Sequence, residues 1–304
     1  MHGGQGFSPF LCFVIQNPQL TPELRTPSRI NDSNEIFFAA VGDVHGHHHE
    51  MVRLLSEWEA RTSNSVQFIL QVGDFEPHRN EEDLETMAAP AKYRTLGDFP
   101  EFYSGEFLFP WPVYFIGGNH EPYGFLDSIP KGGPVMENCF YLGRAGVANI
   151  HGLKITGMSG ICSPDKFERA HPSIADFKKR SNKDYTYFNH EDIEHALDFG
   201  RPDILLVHDW PARVIAVEDA GEFEQQRRSM RYTSVGNEYA RVLMDLLSPR
   251  LVLCGHMHKK YRNRVTTKSG AAVDICCLAN VERGEDSVAF FRIGDDMSIT
   301  EVID

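Results

Sequence analysis

Of the 304 residues, 41% are hydrophobic and 24% are charged, a composition that excludes a disordered chain, a collagen-like repeat and a coiled coil. The 43 acidic residues outnumber the 30 Lys and Arg residues, which gives a formal net charge of −13 at pH 7. Taken alone, this charge argues against a polyanionic partner such as a nucleic acid.

Cysteine usage and hydropathy predict a cytoplasmic protein, or a nuclear one in a eukaryote. The six cysteines show no Cys-x-x-Cys spacing and are interpreted as reduced core residues. No stretch approaches the roughly 20 apolar residues that span a bilayer. The apolar run at residues 10–15 is too short for a signal peptide and follows no Lys or Arg. We therefore expect no membrane partner, and nothing in the sequence indicates an obligate protein partner.

The chain divides into a leader and one domain. Residues 1–34 are rich in Gly, Pro, Asn, Thr and Ser and are predicted to be a loosely attached leader, whereas residues 35–304 form the domain. In the domain, apolar strand-like runs alternate with segments of helical period, which predicts an α/β protein with a largely parallel sheet. The predicted strands are residues 36–41, 66–72, 113–116, 204–207 and 251–254, and the predicted helices are residues 49–60, 191–199 and 238–247.

Shorter strands predict a second sheet. Residues 140–142, 147–150 and 153–158 are joined by Gly-Arg-Ala-Gly and His-Gly turns, as in hairpins. A similar series follows at residues 259–264, 271–278 and 287–293. We predict two mixed β-sheets packed as a sandwich and flanked by helices, four layers in the order αββα. A basic insertion at residues 163–186 interrupts this pattern.

Five of the predicted strands end in segments that carry Asp, Asn or His. In open α/β sheets the carboxyl ends of parallel strands form one ligand-binding edge, so residues far apart in sequence converge there. The segments are Gly42-Asp43-Val44-His45-Gly46, Gly73-Asp74-Phe75-Glu76, Gly117-Gly118-Asn119-His120-Glu121, Val207-His208-Asp209-Trp210-Pro211 and Cys254-Gly255-His256-Met257-His258.

These residue types suit two metal ions. Hard divalent cations favour carboxylate oxygen and imidazole nitrogen, and a carboxylate can bridge two ions about 3.5–4 Å apart. Asp74 is the candidate bridge. The pairs Asp43-x-His45 and His256-x-His258 each place two ligands on one side of an extended segment.

Each segment taken singly also has a structural interpretation as a turn or a helix cap. The run at residues 47–49 is interpreted as a solvated helix start rather than as ligands, and Cys254 as a core residue. Asp209 is interpreted as a group that supports a ligand or caps a helix. The ordered set of all five segments favours a metal site over these separate interpretations.

The five segments in this order resemble the signature of the calcineurin-like metallophosphoesterases: Asp-x-His, Gly-Asp, Gly-Asn-His-Glu, a lone His and Gly-His-x-His. Within residues 36–262, further strings are similar to those of the RNA lariat debranching enzymes. They lie at residues 73–76, 79–84, 91–94, 103–106, 115–121, 141–147, 159–161 and 208–211.

The resemblance implies a reaction and a substrate. Debranching enzymes hydrolyse the 2′–5′ phosphodiester at an intron branch point, and a loop corresponding to residues 163–186 helps to hold the lariat. One position departs from that family, because Asp43 stands where those enzymes usually have Cys. A carboxylate in place of a thiolate favours harder ions such as Mn²⁺ or iron. The departure keeps the chemistry and leaves the substrate open.

The resemblance also implies the roles of the site residues. Two divalent ions, of Mn, Fe or Zn, would be held by Asp43, His45, Asp74 and His258 and by Asp74, Asn119, His208 and His256. A water between them would ionise near neutral pH, and the resulting hydroxide would attack phosphorus. His120 is the candidate general acid for the leaving oxygen, with Glu121 or Asp43 compensating its charge.

Three functions compete on this evidence. The first is a phosphodiesterase acting on a nucleic acid or nucleotide, with Lys178, Lys179 and Arg180 as candidate substrate-binding residues. The second is a phosphomonoesterase, including a serine/threonine-type protein phosphatase; the Asp-Arg-Gly usual in those phosphatases is replaced by Phe75-Glu76-Pro77. The third, a non-catalytic binding module, is disfavoured because no ligand is missing. Two divalent ions would make the site locally cationic on an acidic protein.

Overall fold

The computed structural model describes residues 35–223 and 235–303, together with the backbone of a two-residue strand at residues 15 and 16. The predicted leader otherwise lies outside the described residues. The strands are β1 (Ile15–Gln16), β2 (Ile36–Val41), β3 (Val66–Gln71), β4 (Val113–Phe115), β5 (Gly133–Met136), β6 (Cys139–Tyr141), β7 (Ala145–Ile150), β8 (Leu153–Met158), β9 (Ile204–Val207), β10 (Leu251–Cys254), β11 (Tyr261–Thr266), β12 (Ala272–Cys277), β13 (Val288–Ile293) and β14 (Ile299–Val302).

Six α-helices have both ends in the described part of the chain, and three of them are long enough to cover a sheet. All six are α1 (His48–Thr62), α2 (Glu81–Leu84), α3 (Phe99–Tyr103), α4 (Tyr123–Leu126), α5 (His190–Asp198) and α6 (Glu238–Leu247). The cap residues explain where α5 and α6 begin. Asn189 and Asp192 form a reciprocal capping box at α5, and the side chain of Asn237 accepts the N–H of Ala240 at α6.

The described strands form two sheets of seven strands each. The order in the first sheet is β14-β13-β2-β3-β4-β6-β5, and in the second it is β1-β7-β8-β9-β10-β12-β11. Strands β2, β3, β4 and β6 are parallel, as are β8, β9, β10 and β12, whereas antiparallel strands flank both groups. The predicted pair of mixed sheets is confirmed.

The two sheets pack face to face around an apolar core. Phe38 of the first sheet and Leu206 and Leu253 of the second are buried in this layer. Helix α1 covers the outer face of the first sheet, where Trp58 stacks on Phe290 with ring centroids 4.0 Å apart. Helices α5 and α6 cover the second sheet. The four layers therefore follow the predicted order αββα.

The predicted strand pairing was wrong at two places. The turn at residues 143–146 crosses from β6 in the first sheet to β7 in the second, so it closes no hairpin. Strand β13 pairs with β2 in the first sheet, although its position after β11 and β12 suggested the second. Short apolar runs define strands, but contacts distant in sequence decide which strand each one joins. The hairpins β7–β8 and β11–β12 form as expected.

The start of α1 also differs from expectation. His48 is fully buried, although residues 47–49 were interpreted as a solvated helix start. Its ring lies against Phe75 with centroids 4.6 Å apart, and its Nδ1 donates to the carbonyl of Gly46 over 3.1 Å. Several Phe side chains surround and bury this ring. These contacts join residues distant in sequence, so the local sequence pattern does not reveal them.

The cysteines agree with the expected reduced core residues. Cys139, Cys162, Cys254, Cys276 and Cys277 are buried and free, and Cys12 lies outside the described residues. Within residues 35–223 and 235–303, no helix combines the length and apolar character needed to cross a membrane.

Candidate metal centre

The metal-type residues converge at the carboxyl ends of the central strands. Asp43 and His45 follow β2, and Asp74 follows β3. Asn119 comes after β4, His208 directly follows β9, and the segment with His256 and His258 follows β10. Parallel strands bring these ends to one edge, and the structure brings all seven residues together there.

A first group of donors consists of Asp43, His45 and His258. The His258 Nε2 lies 3.0 Å from Asp43 Oδ2 and 3.0 Å from His45 Nε2. The His45 Nε2 lies 3.9 Å from Asp43 Oδ2. Each residue thus turns one ligand atom toward a common point, with these atoms within 4.8 Å of one another.

A second group consists of Asp74, His208 and His256, whose ligand atoms also lie within 4.8 Å of one another. The His208 Nε2 lies 3.4 Å from Asp74 Oδ2 and 3.3 Å from Asn119 Oδ1. Asp74 Oδ2 is also 3.9 Å from His45 Nε2 of the first group. Asp74 therefore stands between the two groups, where the sequence placed a bridging carboxylate.

The backbone is unusual where it presents these side chains. His45, Asp74, His256 and His258 have φ angles of 48°, 52°, 65° and 51°, the left-handed region that non-glycine residues seldom occupy. Strain of this kind persists where the surrounding structure holds it and is concentrated at functional sites. At Gly255, a Cβ would come 2.1 Å from Asp43 Oδ1, so only glycine allows this approach.

Hydrogen bonds set the orientation of two imidazoles. The Nδ1 of His208 donates to the carbonyl of Val72 over 2.8 Å. The Nδ1 of His45 lies 2.8 Å from Glu76 Oε1, which only accepts when ionised. In its neutral form each of these histidines therefore carries its hydrogen on Nδ1 and turns a free Nε2 toward the donor groups, the arrangement found for metal-ligating histidines.

The charges of the site fit divalent cations. Four carboxylates, Asp43, Asp74, Glu76 and Glu121, are at most 3% exposed. Among the described residues, the first three of these carboxylates make their ion-pair contacts with histidines. Buried carboxylates without cationic partners are costly. Divalent ions would supply the missing charge, and these oxygen and nitrogen atoms are donors of the type such ions prefer.

The pKa values of two histidines reflect the negative charge of the buried carboxylates. Burial opposes protonation of His208, but the charge of Asp74 and its hydrogen bond raise the pKa of His208 to about 10. Burial likewise opposes protonation of His45, but Glu76 and the neighbouring aspartates raise its pKa to about 10. Without other cations, protons on these rings would balance the carboxylates, and bound cations would replace them.

Glu121 has a different role from the one expected. It does not face the ring of His120 but accepts the backbone N–H groups of Phe75 and Gly118 at Oε1 and of Glu76 at Oε2, over 2.9 to 3.0 Å. Burial, followed by the charge of Asp74, raises the pKa of Glu121 to about 8. Glu121 therefore joins the loop after β3 to the loop after β4.

His120 lies at the edge of the donor groups. Its backbone N–H donates to Asp74 Oδ1 over 2.8 Å, and its Nδ1 lies 3.9 Å from Glu76 Oε1. Burial lowers the pKa of His120. The charge of Asp43, as expected, favours the protonated ring together with that of Asp74, and the carboxylate in contact with the ring is that of Glu76. The contact between Glu76 and His120 was not predicted from the sequence. The only sequence feature that pointed to it is the acidic residue Glu76, two positions after the candidate bridge Asp74.

Asp209 supports the site from behind. Its Oδ2 accepts the side-chain amide of Asn237 over 2.8 Å and the N–H of Cys162 over 3.3 Å. Its Oδ1 lies 4.0 Å from Nε2 of His256. The residue thus ties the start of α6 and the loop after β8 to a candidate ligand, a supporting position of the kind expected from the sequence.

The basic insertion forms a groove away from the donor groups. The groove has a volume of about 240 Å³ and is called the basic groove below. Arg180 lines it, whereas Lys178 and Lys179 are exposed and are not among its described lining residues. Lys179 instead pairs with Asp176 over 3.2 Å. The charged and aromatic residues of the groove are Lys166, Arg169, His171, Arg180, Asp184 and Tyr187.

Comparison with known proteins decides the family. The sequence profile of the calcineurin-like phosphoesterases matches residues 38–260. The chain belongs to the calcineurin-like phosphoesterase family. This membership confirms the resemblance seen in the motifs and the expected class of phosphoester hydrolases, a family that uses divalent metals. A solved crystal structure with 14% identity shows the same fold, with a TM-score of 0.53 over 88% of this chain and 98% of that one.

Several curated relatives of this family member are lariat debranching enzymes. The one from Entamoeba histolytica is 34% identical over 73% of this chain and 64% of its own length. Those from Danio rerio and Homo sapiens are each 32% identical over 73% of this chain, and over 40% and 42% of their own lengths. The chain therefore spans between 40% and 64% of the length of these relatives.

Proposed function

We propose that the chain is a two-metal phosphodiesterase that acts on a nucleic acid or nucleotide, with a debranching-like activity. The observation that carries the proposal is the position of Asp74, whose Oδ2 lies 3.4 Å from Nε2 of His208 in its own donor group and 3.9 Å from Nε2 of His45 in the other. One carboxylate that reaches both groups suits a binuclear centre. The relatives named lariat debranching enzymes support a diester as the substrate.

The donor set divides between two ions. Asp43, His45, Asp74 and His258 would hold one, and Asp74, Asn119, His208 and His256 would hold the other. Bound there, divalent ions of Mn, Fe or Zn would supply the Lewis acidity that activates water and neutralises phosphoryl oxygens. The carboxylate of Asp43 favours the harder of these ions.

In this proposal His120 donates the proton to the leaving oxygen. Its backbone bond to Asp74 fixes the residue at the rim of the site, and 27% of its side chain remains exposed to an incoming substrate. Glu76, 3.9 Å from its Nδ1, stabilises the protonated ring against nearby cations. His120→Ala should therefore slow diesters with poor leaving groups by about 10²- to 10⁴-fold and leave metal content unchanged.

The basic groove would attract the phosphates of a longer substrate. Lys166, Arg169 and Arg180 give it a cationic lining on a protein whose net charge is −13. Tyr187 offers a ring on which a base could stack. Net charge thus disfavours broad binding of nucleic acid, whereas local charge favours a substrate held by the metal centre and this groove.

A substrate panel tests the proposal. The protein is loaded separately with Mn²⁺, Fe²⁺ or Zn²⁺, and hydrolysis of a 2′–5′ branched RNA, a linear RNA, a simple phosphodiester and a phosphomonoester is compared. We expect diesters to be preferred and the branched RNA to react fastest. A tenfold preference for the monoester would favour a phosphomonoesterase instead. Hydrolysis of simple diesters without the branched RNA would keep the chemistry and reject the debranching role, and no turnover would favour a binding module.

A further inference from the structure

Glu76 is a buried carboxylate that belongs to neither expected ligand set. It follows β3, has a φ angle of 56° and is 3% exposed. Its Oε1 lies 2.8 Å from Nδ1 of His45 and 3.9 Å from Nδ1 of His120. One oxygen atom therefore faces both a proposed metal ligand and the proposed acid.

The contact with Glu76 decides which nitrogen of His45 is free. An ionised carboxylate only accepts hydrogen bonds, so in the neutral ring of His45 the hydrogen lies on Nδ1 and Nε2 keeps its lone pair. This Nε2 lies 3.0 Å from Nε2 of His258 and 3.9 Å from an oxygen of each aspartate, Asp43 and Asp74. The free nitrogen thus points into the first donor group.

The backbone holds Glu76 firmly in this place. Its N–H donates to Oε2 of Glu121 over 2.9 Å, and the same carboxylate binds the N–H groups of Phe75 and Gly118. On its other side, Oε2 of Glu76 lies 4.0 Å from the buried ring of His78. Among the residues that the structure describes, Glu76 makes its ion-pair contacts with three histidines, His45, His78 and His120. His45 is the closest of these partners.

We propose that Glu76 is a positioning residue: its bond to Nδ1 fixes His45 in the orientation and tautomer in which Nε2 binds a cation, and it links this ligand to His120. This inference rests on the metal site of the proposed function. Carboxylate partners of ligating histidines typically contribute 10- to 100-fold to metal affinity. Glu76 supplies that contribution from outside the ligand set.

Binding of Mn²⁺ tests the role without any turnover. Metal-free protein is titrated with Mn²⁺, and the free ion is followed by electron paramagnetic resonance. Glu76→Ala should weaken the affinity by about 10- to 100-fold. Glu76→Gln keeps a neutral acceptor, whose bond is weaker than a charge-assisted one, so an intermediate affinity is expected. An affinity equal to wild type for both variants overturns the proposal.

A matched pair elsewhere in the chain supplies the control. Oε2 of Glu101 lies 2.7 Å from Nε2 of His49 in an exposed pair away from the donor groups. Glu101→Ala therefore removes a carboxylate–histidine bond of similar length and should leave Mn²⁺ affinity unchanged. An equal loss in Glu101→Ala and Glu76→Ala would show a general charge effect and overturn the positioning role.

A double-mutant cycle separates positioning through His45 from a structural effect. In a His45→Ala background, Glu76→Ala should cause no further loss of Mn²⁺ affinity, because the ring it positions is gone. Equal losses in both backgrounds overturn the proposal. If Glu76→Ala does not fold, Glu76→Gln takes its place in the cycle with the same two outcomes. A wild-type protein that binds Mn²⁺ but hydrolyses no phosphodiester refutes the proposed function and leaves this inference standing.

Discussion

The buried imidazole of His48 makes the stability of this fold depend on pH. The ring lies between Phe75 and Phe99, with centroid distances of 4.6 and 5.2 Å, and Nδ1 donates to the carbonyl of Gly46. Burial, the largest influence, lowers the pKa of His48 from 6.5 to about 3. The folded protein therefore keeps this ring neutral at pH values where the unfolded chain protonates it.

The sign and size of the effect follow from proton linkage. Below pH 6.5 the unfolded chain binds a proton that the folded protein does not, so the free energy of unfolding decreases as the pH falls toward 3. One pH unit corresponds to about 1.4 kcal/mol. Acidification from pH 7.5 to 5.0 should thus cost about 2 kcal/mol through His48 alone.

A comparison with His48→Phe isolates this contribution. Phenylalanine keeps an aromatic ring among the neighbouring Phe side chains and cannot titrate, and the carbonyl of Gly46 keeps the N–H of Asp98 at 2.8 Å. Urea unfolding, followed by circular dichroism in a chelator, is measured for both proteins at pH 7.5 and 5.0. Wild type should lose about 2 kcal/mol more than the variant between the two pH values. Equal losses would refute the conclusion that burial keeps His48 neutral.

Three further outcomes are expected. Gly255→Ala should abolish Mn²⁺ binding in calorimetric titration, because its Cβ would come 2.1 Å from Asp43 Oδ1; wild-type affinity would contradict this. Trp58→Ala should lower the free energy of unfolding by about 3–5 kcal/mol, since it removes the ring stacked on Phe290; a loss below 1 kcal/mol in denaturant titration would count against that packing. Arg180→Glu should weaken RNA binding and reduce its salt dependence in filter-binding assays, whereas an unchanged slope would remove the basic groove from the substrate site.

Most of the fold can be predicted from the sequence, because hydrophobic periodicity and the residues that mark the ends of helices and strands are local features. The predicted bounds of β2, β9, β10 and α6 agree with the structure. Pairing is not local, which is why β13 was assigned to the wrong sheet. Five of its six residues are apolar and buried, as in any interior strand, and only its pairing with β2 and β14 places it in the first sheet.

The candidate ligands could be predicted because each follows a strand whose end lies on one edge of a sheet. The surroundings of those ligands could not. Glu76 lies 2.8 Å from His45 and 3.9 Å from His120 on a backbone with a φ angle of 56°, and no sequence pattern predicts this conformation. Glu121 is one of two carboxylates, with Asp43, that the sequence suggests as compensating the charge of His120. The structure turns its carboxylate toward backbone N–H groups instead.

The most direct test of the account counts the ions that support turnover. Metal-free protein is titrated with Mn²⁺ while hydrolysis of a chromogenic phosphodiester is followed. The rate should reach its plateau at two equivalents of Mn²⁺ per chain, because the two proposed ligand sets share Asp74. A plateau at one equivalent, or full activity without added metal in the presence of a chelator, would contradict a binuclear phosphodiesterase.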